Sequence, residues 1–172
     1  MIRLVEDILK LSRLDEGAGH YTLEPVDLAQ IGENVVRELE STAQRGNVTI
    51  SFRGESALVN GVPHLLSAIV ANLGTNAIKY NRPEGRVEII VENTPQGAEL
   101  TVADTGIGIP EEHRERIFQR FYRVDKSHSK AVGGTGLGLS IVKHAAQIHG
   151  AEVTLDSREN EGTTIRIRFP KV

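Results

Sequence analysis

Apolar residues recur every three to four positions in several stretches of the chain, a spacing that places them on one face of an α-helix. The stretches with this pattern are residues 1–16, a run that opens at Pro25, residues 63–80 and the run that follows Gly138. The first is too short to be stable alone, so we expect it to pack on another helix, within the chain or across a dimer interface. Because "GAGH" then interrupts the pattern, we place a domain boundary near residue 20.

The start of the second predicted helix has its own signal. Pro25 and Asp27 open this helix, with Asp27 as the N-cap and Gln30, three residues later, as its capping partner. Its buried face is predicted to comprise Leu28, Ile31, Val35 and Leu39.

Alternating and β-branched runs predict the strands. Short strands are expected at 48–52 and 57–60, and two antiparallel hairpins are expected where turn sequences separate two pairs of strands. The paired runs are 86–92 with 99–104 and 152–157 with 163–169. We therefore expect an α+β fold, a two-layer sandwich in which a mostly antiparallel, mixed sheet of about five strands is covered by three helices. The order of the strands cannot be read from this pattern.

The region between Asp104 and Gly136 has one short helical pattern, "PEEHRERIFQRF", in which Pro110 is predicted at the first helical position. The rest of the region reads as loop. Because unstructured stretches as long as 122–135 are uncommon in compact domains, we expect a lid or a binding loop here.

Composition excludes several classes of function. The chain has 172 residues, 39% hydrophobic and 25% charged, which indicates one main soluble domain. A net charge of −3 gives no reason to expect a nucleic acid partner. The absence of cysteine excludes disulfides and thiolate metal sites. No apolar run is long enough to span a membrane, so we expect a cytoplasmic chain without membrane contact.

A glycine-rich stretch, "VGGTGLGLSIVKHAAQIHG", feeds the last predicted helix. A Walker loop is excluded because Gly138 is followed by Leu139 and Ser140 rather than by Lys and Ser or Thr. A dinucleotide fingerprint is excluded by the glycine spacing and by the polar residues that precede it. What remains is a backbone that can approach an anion at a helix N-terminus, or simply a flexible loop before a helix.

A polar stripe follows one edge of the third predicted helix. Asn72, Asn76 and Tyr80 recur at every fourth position, and Lys79 lies three residues after Asn76. Asparagine is a poor helix former, and its side-chain oxygen is a ligand that Mg²⁺ accepts alongside phosphates and waters. The alternative is a solvated helix face with chance spacing.

Asp104 ends a predicted strand and precedes Gly106 and Gly108. A partly buried carboxylate needs hydrogen-bond donors, and an adenine amino group would supply one, so recognition fits this residue better than acid–base catalysis. The alternative is an ordinary Asx turn. The histidines lack metal-like clustering, and we expect His144 and His149 to be surface or boundary residues of the last helix.

Four motifs occur in a fixed order along the chain: "NLGTNAIKYN", "DTGIGIP", "FQRFYRVD" and "GGTGLGLSIVKHAAQIHG". In order and spacing they resemble the N, G1, F and G2 boxes of the catalytic and ATP-binding domain of bacterial sensor histidine kinases. That domain belongs to the ATPase superfamily shared with Hsp90, DNA gyrase B and MutL. The resemblance implies that residues 1–20 end the second helix of a dimerisation and phosphoacceptor domain and provide a linker, and that 21–172 form the catalytic domain. The stretch from "FYRVDKSHSK" onward is similar to phosphate-responsive sensor kinases.

The resemblance implies a role at the base of ATP for one group of residues. Asp104 would bind adenine, and Gly106 and Gly108 would shape the pocket around it. Thr163 would close the far side of this pocket, and Tyr80 would lie against the nucleotide.

It implies a role at the phosphates for a second group. Asn76 would ligate Mg²⁺, while Asn72 and Lys79 would contact the phosphates and Arg123 would approach the γ-phosphate. Arg123, Lys79 and Asn72 would thereby serve catalysis. The implied lid is anchored by Phe118 and Phe121, and its backbone donors wrap the phosphates at Gly134, Gly136, Leu137 and Gly138.

One element of the family is missing. The phosphoacceptor histidine of these kinases lies in a "HELRTP"-like stretch, and no histidine here is followed by an acidic residue and Arg-Thr-Pro. The resemblance therefore implies a chain that binds Mg²⁺-ATP and phosphorylates a histidine on a separate segment, but not itself. A response regulator receiver domain would be the next partner. We expect Met1 to begin a fragment of a longer sensor, whose membrane attachment the sequence leaves open.

Two alternatives belong to other classes of function. One is a nucleotide-dependent regulator of the anti-sigma type, which binds a partner and transfers nothing. The other is a free-standing ATPase like the gyrase and MutL branches, which carry a catalytic Glu where this chain has Asn72. That difference predicts slow or absent ATP hydrolysis.

Overall fold

The computed structural model describes Ser12, residues 21–124 and residues 134–172. Its α-helices within these ranges are α1 (Leu28–Arg45), α2 (Pro63–Lys79) and α3 (Gly138–Ile148). Its strands are β1 (Glu24–Asp27), β2 (Val48–Gly54), β3 (Leu58–Gly61), β4 (Gly85–Thr94), β5 (Gly97–Asp104), β6 (Glu152–Arg158) and β7 (Gly162–Arg168). The helix predicted over 1–16 lies, apart from Ser12, outside the described residues.

Five strands form one mixed sheet in the order β2-β4-β5-β7-β6. The β2–β4 pair is parallel and the other three pairs are antiparallel. Three helices pack against this sheet, which confirms the predicted α+β sandwich and both predicted hairpins. The described helices cover one face only, so alternate residues along each strand point into the core.

The strand predicted at 57–60 is not part of the main sheet. β3 instead pairs with β1 in a separate two-stranded ribbon, with Pro25 opposite Asn60. The prediction that Pro25 opens a helix is therefore wrong, since this residue lies in an extended strand. Proline is tolerated there because a ribbon edge does not require its missing N–H.

The predicted N-cap of α1 is confirmed. The Asp27 side chain accepts a hydrogen bond from the Ala29 N–H at 3.0 Å, and the helix begins at the next residue, Leu28. Gln30 contributes through its backbone N–H, and the Asp27 carboxylate also accepts from the Ala57 N–H at 3.2 Å. One aspartate thus ends β1, starts α1 and holds the residue that precedes β3.

The core lies between α2 and the inner face of the sheet. Its fully buried side chains include Leu66, Ile69 and Val70 of α2 and Ile89 and Leu100 of the central strands. Each such side chain contributes roughly 1.5–3 kcal/mol through the removal of apolar surface from water. α2 packs against both other helices and is the fixed platform on which the polar stripe lies.

The helix predicted from Pro110 is absent. A single 3₁₀ turn, Glu111–His113, is followed by further turns, and Pro110 is extended (φ −55°, ψ 146°). The apolar residues of this stretch do not form a buried stripe, because Ile117 is buried while Phe121 is 61% exposed and left-handed (φ 62°). Without tertiary burial, so short a helix is not stable.

His149 is buried, so its predicted surface or boundary position is wrong; His144 is half-buried on α3. The Nδ1–H of His149 donates to the Ala145 carbonyl at 2.6 Å, and its Nε2 accepts from the Val62 N–H at 3.0 Å. Burial lowers the pKa of His149, with the nearby His64 adding to the shift and the Ala145 bond opposing it. This histidine joins the end of α3 to the start of α2.

Within the described ranges, no helix combines the length and apolar character that crossing a membrane requires.

Candidate functional site

Three polar residues lie side by side across the end of the sheet. Asp104 on β5 is directly opposite Thr163 on β7, and Thr163 is directly opposite Ser157 on β6. The Asp104 Oδ1 atom accepts hydrogen bonds from the Gly106 N–H at 2.8 Å and the Thr163 N–H at 3.2 Å. Its Oδ2 atom has no such partner in residues 21–124 and 134–172, so one carboxylate oxygen is available to a ligand.

The environment of Asp104 favours recognition of a hydrogen-bond donor. Burial raises the pKa of this carboxyl group, while the backbone N–H groups of Gly106 and Thr163 oppose the increase. In the described part of the chain, no lysine or arginine forms an ion pair with it. A partly desolvated carboxylate oxygen without a cation gains a charge-assisted hydrogen bond when a ligand offers it an N–H donor.

Glycines let the chain after Asp104 pass through a narrow space. A side chain at Gly106 would overlap the Tyr80 carbonyl oxygen and lie 2.8 Å from the Asp104 Oδ1. Gly108 adopts a left-handed conformation (φ 68°), and a Cβ there would overlap the carbonyl oxygen of Arg158. The predicted tight turn is therefore present after β5, and it packs between the end of α2 and the β6–β7 hairpin.

Arg82 holds this turn in place and was not found by sequence reasoning. Its Nε–H donates to the Thr105 carbonyl at 2.6 Å, and its Nη2 donates to the Gly106 carbonyl at 3.3 Å and the Asn160 carbonyl at 2.7 Å. The planar guanidinium can serve three acceptors because its donors form a fixed fork. No motif signals this role, since all three partners are backbone groups distant in sequence.

The predicted polar stripe lies along α2 and faces the glycine-rich segment. The Asn72 side-chain N–H donates to the Ala68 carbonyl at 2.8 Å, so its Oδ1 atom is not used in that bond. A Cβ at Gly138 would lie 2.9 Å from this Oδ1 and 3.8 Å from the Asn76 Nδ2. The start of α3 therefore lies directly over both asparagines.

Lys79 and Tyr80 continue the stripe at the end of α2. The Lys79 Nζ lies 5.0 Å from the centroid of the Tyr80 ring, which is 43% exposed. A Cβ at Gly134 would overlap the Lys79 Nζ. The structure thus brings the lysine, both asparagines and the glycine segment together along one edge of α2.

The first turn of α3 has no side-chain cap among the described residues. Leu137 occupies the N-cap position without a side-chain hydrogen bond to the helix, and its own side chain is fully buried. Its N–H donates to Thr135 Oγ1 at 3.3 Å, so this donor is partly engaged within the loop. The uncapped N–H groups and the dipole of an 11-residue helix form a favourable position for an anion.

The segment before the lid contacts the glycines through its backbone. The Phe121 N–H donates to the Gly136 carbonyl at 3.0 Å, and Gly136 itself is left-handed (φ 72°). Phe118 is half-buried and Phe121 is exposed, so the predicted Phe121 anchor is wrong; the buried residue of this segment is Ile117, which sequence reasoning missed. Arg123 is half-buried near the end of the described segment, and the rest of the predicted lid, 125–133, lies outside the described residues.

A metal would have few protein ligands here. The described residues contain no group of three His, Asp or Glu side chains that could hold an ion. An amide oxygen such as that of Asn76, with phosphates and waters completing the coordination, fits the way Mg²⁺ is bound with nucleotides.

Comparison with known proteins gives a consistent result. The family model for histidine kinase-, DNA gyrase B- and HSP90-like ATPases matches residues 61–172. The sensor protein kinase WalK of Staphylococcus haemolyticus is 37% identical over 99% of this chain and 28% of its own length. WalK of Staphylococcus aureus is 35% identical over 99% of this chain and 41% of its own length. The chain thus spans well under half the length of these relatives.

Solved structures are also similar to this chain. The mycobacterial sensor histidine kinase MprB is 31% identical with a TM-score of 0.74, over 86% of this chain and 97% of that one. Full-length ShkA, crystallised in complex with AMPPNP, is 26% identical with a TM-score of 0.84, over 99% of this chain and 36% of that one.

Proposed function

Since the chain belongs to the histidine kinase-, DNA gyrase B- and HSP90-like ATPases, as the catalytic ATP-binding part of a sensor kinase, we propose that it binds Mg²⁺-ATP beside α2. The γ-phosphoryl group then passes to a histidine on a dimerisation domain. The observation that carries this proposal is the arrangement of Asp104 and the N-terminus of α3, which has no side-chain cap, at two ends of one polar edge of α2.

The base of the nucleotide is proposed to lie against Asp104. Its Oδ2 accepts the adenine amino group, while the glycine turn and Thr163 form the walls of the pocket. Tyr80, exposed at the end of α2, provides a ring beside the nucleotide. The support for this arrangement is that Oδ1 is fully engaged by two backbone N–H groups, which fixes the carboxylate plane before a ligand arrives.

The phosphates are proposed to lie beside the stripe, at the N-terminus of α3. Asn76 supplies an oxygen ligand for Mg²⁺, Asn72 and Lys79 contact the phosphates, and the N–H groups from Gly134 to Gly138 bind the terminal oxygens. When bound, the metal neutralises phosphate charge. Lys79 and Arg123 add positive charge near the γ-phosphate, so that the chain catalyses transfer by positioning and electrostatics.

The reaction needs an acceptor from outside this sequence. An imidazole nitrogen of the acceptor forms the new bond to phosphorus while the bond to the leaving ADP oxygen breaks. The sequence contains no phosphoacceptor motif, so the chain alone should not become phosphorylated. Asn72 occupies the position at which the gyrase and MutL branches carry a catalytic glutamate. Because this chain lacks that glutamate, slow or absent ATP hydrolysis is expected as well.

The surroundings of the domain are also proposals. Residues 1–20 are proposed to end a dimerisation helix and to link it to the catalytic domain at 21–172. A response regulator receiver domain is the proposed final acceptor, and the domain is proposed to act in the cytoplasm. The likeness to phosphate-responsive sensor kinases stays a prediction; the relatives above are WalK proteins.

Mixing the chain with a dimerisation domain that carries the phosphoacceptor histidine and with γ-labelled ATP tests the proposal. Label should appear on the added domain, stable in base and labile in acid. Asn76→Ala should abolish the transfer, and Asn34→Ala, on the exposed face of α1, should not. If a dimerisation domain that other catalytic domains phosphorylate gains no label from this one, the kinase proposal fails and a regulator that only binds nucleotide replaces it.

A further inference from the structure

The Ser157 hydroxyl is buried beside the proposed base pocket and contacts three groups. The side chain is 3% exposed. Its Oγ lies 2.9 Å from the Ile109 N, 3.0 Å from the Gly162 carbonyl oxygen and 2.8 Å from the Thr163 Oγ1. It therefore joins the end of the glycine turn to the start of β7.

Counting protons assigns a direction to each of these bonds. The Ile109 N–H can only donate, so Ser157 accepts that bond. The Gly162 carbonyl can only accept, so it takes the single hydroxyl proton of Ser157. The remaining contact then requires Thr163 to donate its hydroxyl proton to Ser157. Thr163 thus has only lone pairs left for a ligand.

The same row of the sheet contains the open oxygen of Asp104. Thr163 lies between Ser157 and Asp104, and its N–H is already bound to the Asp104 Oδ1. The polar edge of the pocket therefore presents two acceptors, the Asp104 Oδ2 and the Thr163 Oγ1. Such an edge attracts an amino group and repels a carbonyl oxygen.

We infer that Ser157 is a positioning residue that sets base selectivity, because it holds the Thr163 proton away from the pocket. This inference rests on the proposed function and deepens it. A purine with an amino group at C6 is favoured over one with a keto oxygen there, and part of that preference comes from a residue that does not touch the base. Substituting Ser157 frees the Thr163 proton, which can then be donated to a keto oxygen.

The test compares two ligands that differ only at this edge. The non-hydrolysable ATP analogue and its inosine counterpart are titrated calorimetrically into the parent chain and into Ser157→Ala. The ratio of the inosine to the adenosine dissociation constant should fall about tenfold in the variant, the effect of gaining one hydrogen bond. An unchanged ratio, with both affinities reduced in parallel, would mean that Ser157 only supports the fold and would overturn the inference.

Thr94 provides a matched control. Its hydroxyl donates to the Gly97 carbonyl at 2.8 Å at the turn of the other hairpin, as Ser157 does to Gly162. Thr94→Val removes a similar bond far from Asp104 and should leave the ratio at the parent value. A ratio that falls equally in Thr94→Val would attribute the effect to loosened hairpins and would also overturn the inference.

A second variant covers the case in which Ser157→Ala does not fold. Thr163→Val removes the acceptor while Ser157 keeps its bonds to Ile109 and Gly162. It should weaken adenosine binding more than inosine binding, and equal losses would overturn the inference. Where the double variant folds, adding Ser157→Ala should change the ratio no further. A folded parent chain that binds neither analogue would instead remove the proposed function, and the inference with it.

Discussion

Replacing Asp104 by asparagine changes one atom of the proposed site. The Oδ1 atom accepts from Gly106 and Thr163, and an asparagine oxygen can accept both bonds in the same place. Only Oδ2, the atom proposed to receive the adenine amino group, is exchanged for an N–H₂ donor. The variant therefore separates recognition from folding.

The expected loss of affinity follows from two effects. A hydrogen bond to a charged acceptor contributes about 1.5–3 kcal/mol, and an opposed, unpaired donor costs about 1–3 kcal/mol more. Together they predict a loss of about 2.5–6 kcal/mol, which is roughly a sixty-fold to twenty-thousand-fold increase in dissociation constant.

The folding stability of the same variant should not fall. Burial raises the pKa of Asp104, so its contribution to stability is full below its unfolded pKa and is lost as pH rises through the folded value. Asparagine is neutral at every pH, so the variant does not lose the stability that the parent loses when Asp104 ionises. At pH 7 the variant should be as stable in urea as the parent, or more so.

Calorimetry with the non-hydrolysable ATP analogue, paired with urea unfolding, measures both quantities. Asp156→Asn is the matched control, since Asp156 is exposed on β6, two strands away from β5, and should change neither. Unchanged affinity in a folded Asp104→Asn chain would refute the assignment of the base to this carboxylate. Lost affinity together with lost stability would refute the claim that the residue serves recognition rather than folding.

Three further outcomes are expected. Gly108→Ala should lower stability by about 2 kcal/mol or more, roughly 4–8 °C in Tm, because of its left-handed φ and the overlap with the Arg158 carbonyl oxygen. Gly150 is also left-handed, but a Cβ there would make only an ordinary contact with the Pro170 side chain at 3.9 Å, so Gly150→Ala should cost less. Equal melting temperatures of the two variants would contradict the role of the overlap. Asn76→Ala should abolish the Mg²⁺ dependence of analogue affinity in calorimetry with and without the ion, and a retained dependence would place the metal ligand elsewhere. Since the pKa of His149 is lowered, its contribution to stability is present above pH 6.5, the ordinary pKa of histidine, and is lost as pH falls through the pKa of the folded state. The urea midpoint of the parent should therefore fall more steeply below pH 6.5 than that of His149→Gln. Parallel curves of midpoint against pH would contradict this.

Local patterns predicted the elements with strong signals. The apolar spacing of α2, the N-cap Asp27 and the turn residues of both hairpins depend on neighbours close in sequence, so they could be read from it. The stretch from Pro110 has helical composition, but no apolar stripe is buried against the core, and the backbone forms turns instead. β1 could not be read because its four residues owe their strand conformation to β3.

Some residues of the candidate site could be identified from the sequence and others only from the fold. Asp104, Asn72 and Asn76 could be selected because side chains of their type at that spacing suit a ligand. Arg82 and Ser157 could not, since they act on backbone carbonyls and N–H groups that only the fold brings near. His149 is buried, yet both of its ring nitrogens form hydrogen bonds. One of these bonds comes from the Val62 N–H, which is distant in sequence, so the sequence gives no signal for it.

One nucleotide is proposed to reach from Asp104 to the start of α3. Heteronuclear NMR of the ¹⁵N-labelled chain tests it directly, with AMP and the non-hydrolysable ATP analogue added in turn with Mg²⁺. AMP should shift the amide signals of Gly106, Gly108 and Thr163, and the triphosphate analogue should shift these together with those of Gly134, Gly136 and Gly138. Shifts confined to the outer face of the sheet, or none at saturating analogue, would contradict the account.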